Sequence, residues 1–239
     1  MGLFDKKYCD ICGEKIGLLG NRKLEDGNMC KDCAAKLSPF TTDRRRTSLA
    51  EIKEHLAYRE ANKGEVAKFN VTRTLGDRTK VLLDEDNGKF IVTSANRWQN
   101  ENPDVISFSQ VTGCQTEIRE SRSEIRRKDG QGNEVSYDPP RYDTDYDFYI
   151  TIHINSPFFN EIEFKMNFSR IEDRNSVEFR EFDRQANEIK QALTQVRQNA
   201  RNNIAAANAP KVSQTCPHCG ATTVPDAGGR CEYCGGAMA

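Results

Sequence analysis

The chain has 239 residues, 30% of them charged and 36% hydrophobic, and a net charge of −1. That length suits one medium domain with accessories or two small domains, and the charge gives no global attraction to nucleic acid or anionic lipid. No stretch approaches the run of about 18 apolar residues that spans a bilayer. The opening MGLFDKKYCD has neither a secretory apolar region nor a Ser or Thr at position 6 for myristoylation, so a cytoplasmic protein is expected.

In chain order, the first feature is CDICGEKIGLLGNRKLEDGNMCKDC, in which Cys9/Cys12 and Cys30/Cys33 form two C-x-x-C pairs separated by seventeen residues. The same arrangement closes the chain, where Cys216/Cys219 and Cys231/Cys234 are separated by eleven. Thiolates three positions apart can turn toward one ion, and two such knuckles complete a tetrahedral site. Zinc, Zn²⁺, suits four soft thiolates best, giving two structural four-cysteine sites with no coordination position open for catalysis. Disulfides would need an oxidising compartment, and a redox C-x-x-C would not come twice in tandem. A rubredoxin-like iron site is the alternative that the spacing leaves open.

Three of the four pairs are followed by glycine, in CDICG, CPHCG and CEYCG, which lets the knuckle turn so that backbone N–H groups face the sulfurs. The fourth, CKDCAAKL, reads as the first turn of a helix. Knuckle, hairpin through GLLGNRKLEDGN and helix together resemble a treble-clef finger over residues 1–40. The C-terminal module, 215–239, lacks a helical stretch and looks like a zinc ribbon.

Residues 41–64 read as a linker helix. Arg44, Arg45 and Arg46 form a basic run expected to be solvated. Ser48 with Glu51 then offers a capping box for a helix to about Ala61, with Leu49, Ile52 and Leu56 as its apolar stripe. From Val66 the period becomes alternating. VAKFNVT, TKVLLD, KFIVTS, DVISFS and VTGCQTEIRE are strand candidates, followed by YDFYITIHIN and EIEFKMNF. DEDNGKF supplies a hairpin turn, and RRKDGQGNEVSYDPPRYDTD reads as a long hairpin arm or loop. Cys114, the ninth cysteine, shares strand parity with Ile118 and is expected to be a buried core thiol. NSVEFREFDRQANEIKQALTQVRQNA then puts Phe179, Phe182, Ala186, Ile189, Leu193 and Val196 at spacings of three and four, a strongly amphipathic helix capped by Asn175 and Glu178. RNNIAAANAPKVSQ, at 201–214, reads as a flexible tether.

About seven strands followed by one amphipathic helix resembles a bacterial pleckstrin-homology-like (PH-like) barrel over 65–200. The whole chain also resembles the bacterial domain-of-unknown-function 4428 family, on the strength of Cys9, Cys12, Cys30, Cys33 and the LEDG hairpin. The resemblance implies metal binding. The expected class is therefore α+β: a PH-like antiparallel barrel or sandwich with a C-terminal capping helix, flanked by two zinc modules.

No P-loop, dinucleotide fingerprint, H-E-x-x-H motif or nucleophile elbow is present, and His55, His153 and His218 read as surface or ligand-supporting residues, so no catalytic site is expected. Between Cys9 and Cys33 four basic residues face five acidic ones, and between Cys216 and Cys234 one arginine faces two carboxylates. Four thiolates on Zn²⁺ add about −2 to each module, which disfavours phosphate. A non-enzymatic adaptor for an unidentified protein partner is expected; a nucleic-acid-binding ribbon and a membrane-targeted PH-like protein are the alternatives. Arg73, Arg78 and Lys80 in TRTLGDRTK would provide about 1 kcal/mol each at an anionic surface, too little for stable attachment.

Overall fold

The computed structural model describes residues 7–208, 213–226 and 228–238. The chain divides into two compact units, Met1–Gln198 and Asn199–Ala239.

The larger unit begins with a hairpin of β1 (Arg22–Lys23) and β2 (Asn28–Met29), followed by a short helix α1 (Lys31–Ala34). Arg44–Arg46 form a 3-10 turn. Helix α2 (Leu49–Lys68) starts at Ser48, whose hydroxyl accepts from the Glu51 N–H while the Glu51 carboxylate accepts from the Ser48 N–H, the reciprocal box that the sequence signals. It runs past the expected end at Ala61 and absorbs Val66–Lys68, and residues 69–72 are not strand either, so the strand expected at VAKFNVT is absent and the sheet begins at Arg73. The reason for the longer helix lies in its buried face. Ile52, His55, Arg59, Asn62 and Val66 recur at spacings of three and four, but three of the five are polar. An apolar stripe alone therefore understates the helix.

Two antiparallel sheets follow. β3 (Arg73–Leu75), β4 (Lys80–Asp84), β5 (Lys89–Thr93) and β6 (Ile106–Ser107) form a four-stranded sheet in sequence order. β7 (Val111–Lys128), β8 (Glu134–Ile154) and β9 (Glu161–Lys165) form a three-stranded one. The two sheets share no strand pairing and do not close into a barrel. β4 and β5 are buried along nearly their whole length, whereas β8 follows the expected alternation, hiding Phe148, Ile150, Ile152 and Ile154. β7 and β8 pair well beyond the reach of β9, which meets β8 only at Tyr149–His153; the outer part is the long hairpin arm, turning at Asp129–Asn133.

β9 ends sooner than EIEFKMNF suggests. Asn167, fully buried, takes over from the ladder: its side-chain oxygen accepts from the Phe148 N–H at 2.8 Å and its amide donates to the Tyr146 carbonyl at 3.0 Å. Phe168, expected on the buried parity, is exposed as a result.

Helix α3 (Val177–Asn208) packs Phe179 against Phe148 and Tyr146, with ring centroids 5.0 and 5.3 Å apart, and buries Ala186, Ile189, Leu193 and Val196. The Ser176 hydroxyl, accepting from the Phe179 N–H, caps it in place of the expected Asn175. The helix extends to Asn208, so the first half of the expected tether is helical; residues 209–212 of that tether lie outside the described residues. The smaller unit holds a two-stranded ladder of β10 (Gln214–Thr215) and β11 (Thr222–Thr223) and a bridge between Arg230 and Ala237.

Candidate metal centres

Both four-cysteine groups are built from the same local device. In the first knuckle the Gly13 N–H donates to the Cys9 carbonyl at 2.8 Å and the Cys9 N–H to the Glu14 carbonyl at 2.9 Å. The third and fourth knuckles repeat this, with Gly220 bonded to Cys216 and Gly235 to Cys231. Gly13, Gly220 and Gly235 have φ of 76°, 73° and 70°, a left-handed turn that glycine enters without steric cost. The second knuckle has Ala34 at the equivalent place and is helical instead: the Cys30 sulfur caps α1 by accepting from the Cys33 N–H at 3.3 Å.

These turns converge the sulfurs. Cys9, Cys12, Cys30 and Cys33 have all four Sγ atoms within 4.8 Å of one another, as do Cys216, Cys219, Cys231 and Cys234. The distances Cys12–Cys30, Cys216–Cys234 and Cys219–Cys231 are 3.8, 3.6 and 3.7 Å. A tetrahedron of thiolates about 2.3 Å from a central ion has edges of about 3.8 Å. A disulfide would bring two sulfurs to about 2.05 Å. The spacing is that of a metal cage, and all nine cysteines are free.

The electrostatics within each group suit a bound cation. Burial opposes ionisation of Cys9, but the backbone N–H groups of Cys12, Cys30 and Ile11 outweigh it and bring the thiol down to about 6. Cys216 is likewise pushed down to about 6 against burial, chiefly by the N–H groups of His218 and Cys219. Once one thiolate forms, the others resist. Burial and the neighbouring thiols raise Cys33. Cys234 stands at about 12, because Cys219 and Cys216 outweigh the Gly236 N–H. Four thiolates coexist only around a compensating positive charge.

The first centre is continuous with the protein core. Cys9, Cys30 and Cys33 are buried with Ile16, Leu24, Met29, Leu37 and Ile52 of α2. Just behind it lies a polar junction that apolar periodicity does not flag. His55 is buried, stacked on Phe158 at 4.5 Å, and its Nε2 accepts from the Ser38 N–H at 3.3 Å. Arg59 reaches Asp104 at 2.7 Å and the Asn102 carbonyl at 2.6 Å, and the Ser38 hydroxyl donates to Asp104. Asn62 bonds Asn102 and the Pro103 carbonyl. His55 is therefore not a surface residue; it, Arg59 and Asn62 fasten the finger to the loop before β6. Their only sequence signal was the 3-4 spacing they share with Ile52 and Val66. A cavity of about 660 Å³ opens beside this junction, lined by Arg59 and Asp104, which are paired with each other, and by Glu101.

The other residues singled out by sequence lie apart. Cys114 sits in β7 opposite Ile152, half-buried, and burial pushes its thiol up to about 11. His153 Nδ1 lies 3.6 Å from Glu161 across β8 and β9, and the His218 ring lies against Gly236. Arg73 pairs with Glu188 of α3, and Arg78 covers the Phe168 ring.

Residues 7–55 match the family model described as Domain of unknown function (DUF4428). The match covers the first metal centre and the first two turns of α2, the stretch that shares one apolar core. No curated protein and no solved structure matches the chain. No helix among the described residues is long and apolar enough to cross a membrane.

Proposed function

We propose that the chain is a zinc-binding, non-enzymatic adaptor that uses its metal modules to hold a protein partner. One observation carries this reading: each centre presents four cysteine sulfurs at tetrahedral spacing. A fully thiolate-bound Zn²⁺ has no site for water or substrate, so its role is to fold a small module and fix its surface loops. The reduced thiols this requires suit a cytoplasmic location. The four- and three-stranded sheets followed by α3 support a PH-like reading of the middle segment, in an open rather than barrel form. The engagement of Arg73 and Arg78 within the protein supports the absence of stable membrane attachment through that loop. Charge in the two modules favours protein over nucleic acid, since acidic residues outnumber basic ones between the first and last cysteines of each.

The test is affinity capture from the native host with the wild-type chain, with Cys9/Cys12→Ser and with Cys216/Cys219→Ser. A protein held by the wild type and released by one module variant supports the adaptor. Identical captured sets for all three chains reject it.

A further inference from the structure

The apex of the first metal module carries two leucines that its core does not use. Leu18 and Leu19 are the central residues of a turn closed by the Gly20 N–H, which donates to the Gly17 carbonyl at 3.0 Å. They are 93% and 89% exposed, while Ile16, immediately before the turn, is buried among the cysteines. Single exposed apolar residues are ordinary. Two adjacent ones held out by a hydrogen-bonded turn with a buried root form a presented surface.

Cations stand directly behind this apex. The Arg22 guanidinium donates to the Leu19 carbonyl at 3.2 Å. β1, which carries Arg22, lies against the 3-10 turn of Arg44–Arg46. Arg44 is half-buried, and its Nε is buried with no hydrogen-bond partner. Burial, and then the charges of Arg22 and Arg45, push its pKa down. Arg46 pairs with Asp43, but among the described residues no carboxylate pairs with Arg22, Arg44 or Arg45. Arg22 and Arg44, on adjoining elements, and Arg45 next in sequence make this edge locally basic although the Cys9–Cys33 span as a whole is acidic, and such an edge suits an anionic ligand.

We infer that this apex docks reversibly on an anionic membrane surface, with Leu18 and Leu19 entering the interfacial layer and Arg22, Arg44 and Arg45 pairing with lipid headgroups. A bilayer offers the matching order, apolar material flanked by a layer of phosphates, and the module offers leucines in front with cations set behind them. A protein partner would have to reproduce that layering with an apolar pocket inside an acidic rim. Each cation near such a surface raises partitioning about five-fold, and the leucines add a hydrophobic share. The sum is a weak, salt-sensitive contact in the range of a single acyl anchor. It is separate from the Arg73–Arg78–Lys80 loop and goes beyond the adaptor reading, which does not depend on it.

The full-length chain is cosedimented with phosphatidylcholine vesicles containing about one-third phosphatidylserine, and with phosphatidylcholine alone, at low and at physiological salt. Binding to the phosphatidylserine vesicles at low salt, and none to phosphatidylcholine alone, is expected. Leu18→Ser/Leu19→Ser and Arg44→Gln/Arg45→Gln each lower it about five-fold or more. Arg73→Gln/Arg78→Gln leaves it unchanged. Metal content and the thermal transition, measured on every variant, show that the module is still folded. No binding at low salt, equal binding to neutral vesicles, or loss with the arginine pair but not the leucine pair overturns the proposal.

Discussion

Two single residues in the larger unit have consequences that can be measured. Gly76, in the β3–β4 turn, has φ of 79°, and a Cβ there would stand 2.5 Å from the Thr79 carbonyl oxygen. Gly76→Ala therefore meets both a left-handed backbone and a fixed backbone atom, and should cost about 1–3 kcal/mol in chemical denaturation. His55 titrates abnormally: burial, with a smaller push from Arg59, lowers its pKa to about 4 from the ordinary 6.5. Between those values the unfolded chain binds a proton that the folded chain refuses. His55 thus contributes nothing to pH dependence above the unfolded value, and its share of stability is lost as pH falls through the folded one. The slope in that window is at most about 1.4 kcal/mol per pH unit. Cysteine protonation acts in the same window, so the measurement is a comparison: His55→Gln, which keeps an acceptor for the Ser38 N–H without titrating, should show a flatter decline than the wild type.

Among elements, α2 departs furthest from a linker. Its buried face holds Arg59 and Asn62 as securely as Ile52 and Val66, because each polar group finds a partner in the loop before β6 or the segment after α1. Asp104 is fully buried, and burial pushes its carboxyl above the usual range while Arg59 and Ser38 pull it back. Arg59→Met should therefore destabilise by about 3–5 kcal/mol, since it leaves a buried carboxylate without its cation. The double variant Arg59→Met/Asp104→Leu should recover much of that loss, which equilibrium unfolding of the two chains would reveal. The β7–β8 arm differs. Asp143 and Asp145 still hold Arg170 and the Ile171 N–H, but from Tyr142 to the tip the strand pairings stay within the arm, and Ile125 and Tyr142 are exposed, so the core gains little from it.

At the scale of the molecule the two metal centres differ in what they support. The first shares its core with Ile52 of α2, and Phe158 and Phe159 of the β8–β9 loop pack on His55 and on Phe40. The second has a core of its own, Cys216, Cys231 and Met238, in a separate unit. Elemental analysis of protein purified without added metal should find close to two zinc ions per chain. Cys216/Cys219→Ser should unfold the small module alone and leave the main thermal transition in place. Cys9/Cys12→Ser should lower that transition, because the metal supplies folding free energy to residues that α2 and the sheets pack against.

The eight cysteines and the turns that aim them were legible in the sequence, because knuckle geometry is local: two ligands three apart, then a glycine that can turn left-handed. Strand parity in β8 and the 3-4 spacing of α3 were equally legible, since each follows from one element burying one apolar face. The junction of His55, Arg59, Asn62, Ser38 and Asp104 was not. Its members are polar, lie as far apart as Ser38 and Asp104, and are tolerable in a core only because they satisfy one another. Tertiary structure also decided that the sheets stay separate and that β9 ends where the Asn167 side chain replaces the backbone ladder. Local composition specifies how each segment can bond to itself; which distant polar group meets which depends on the packing of the whole chain.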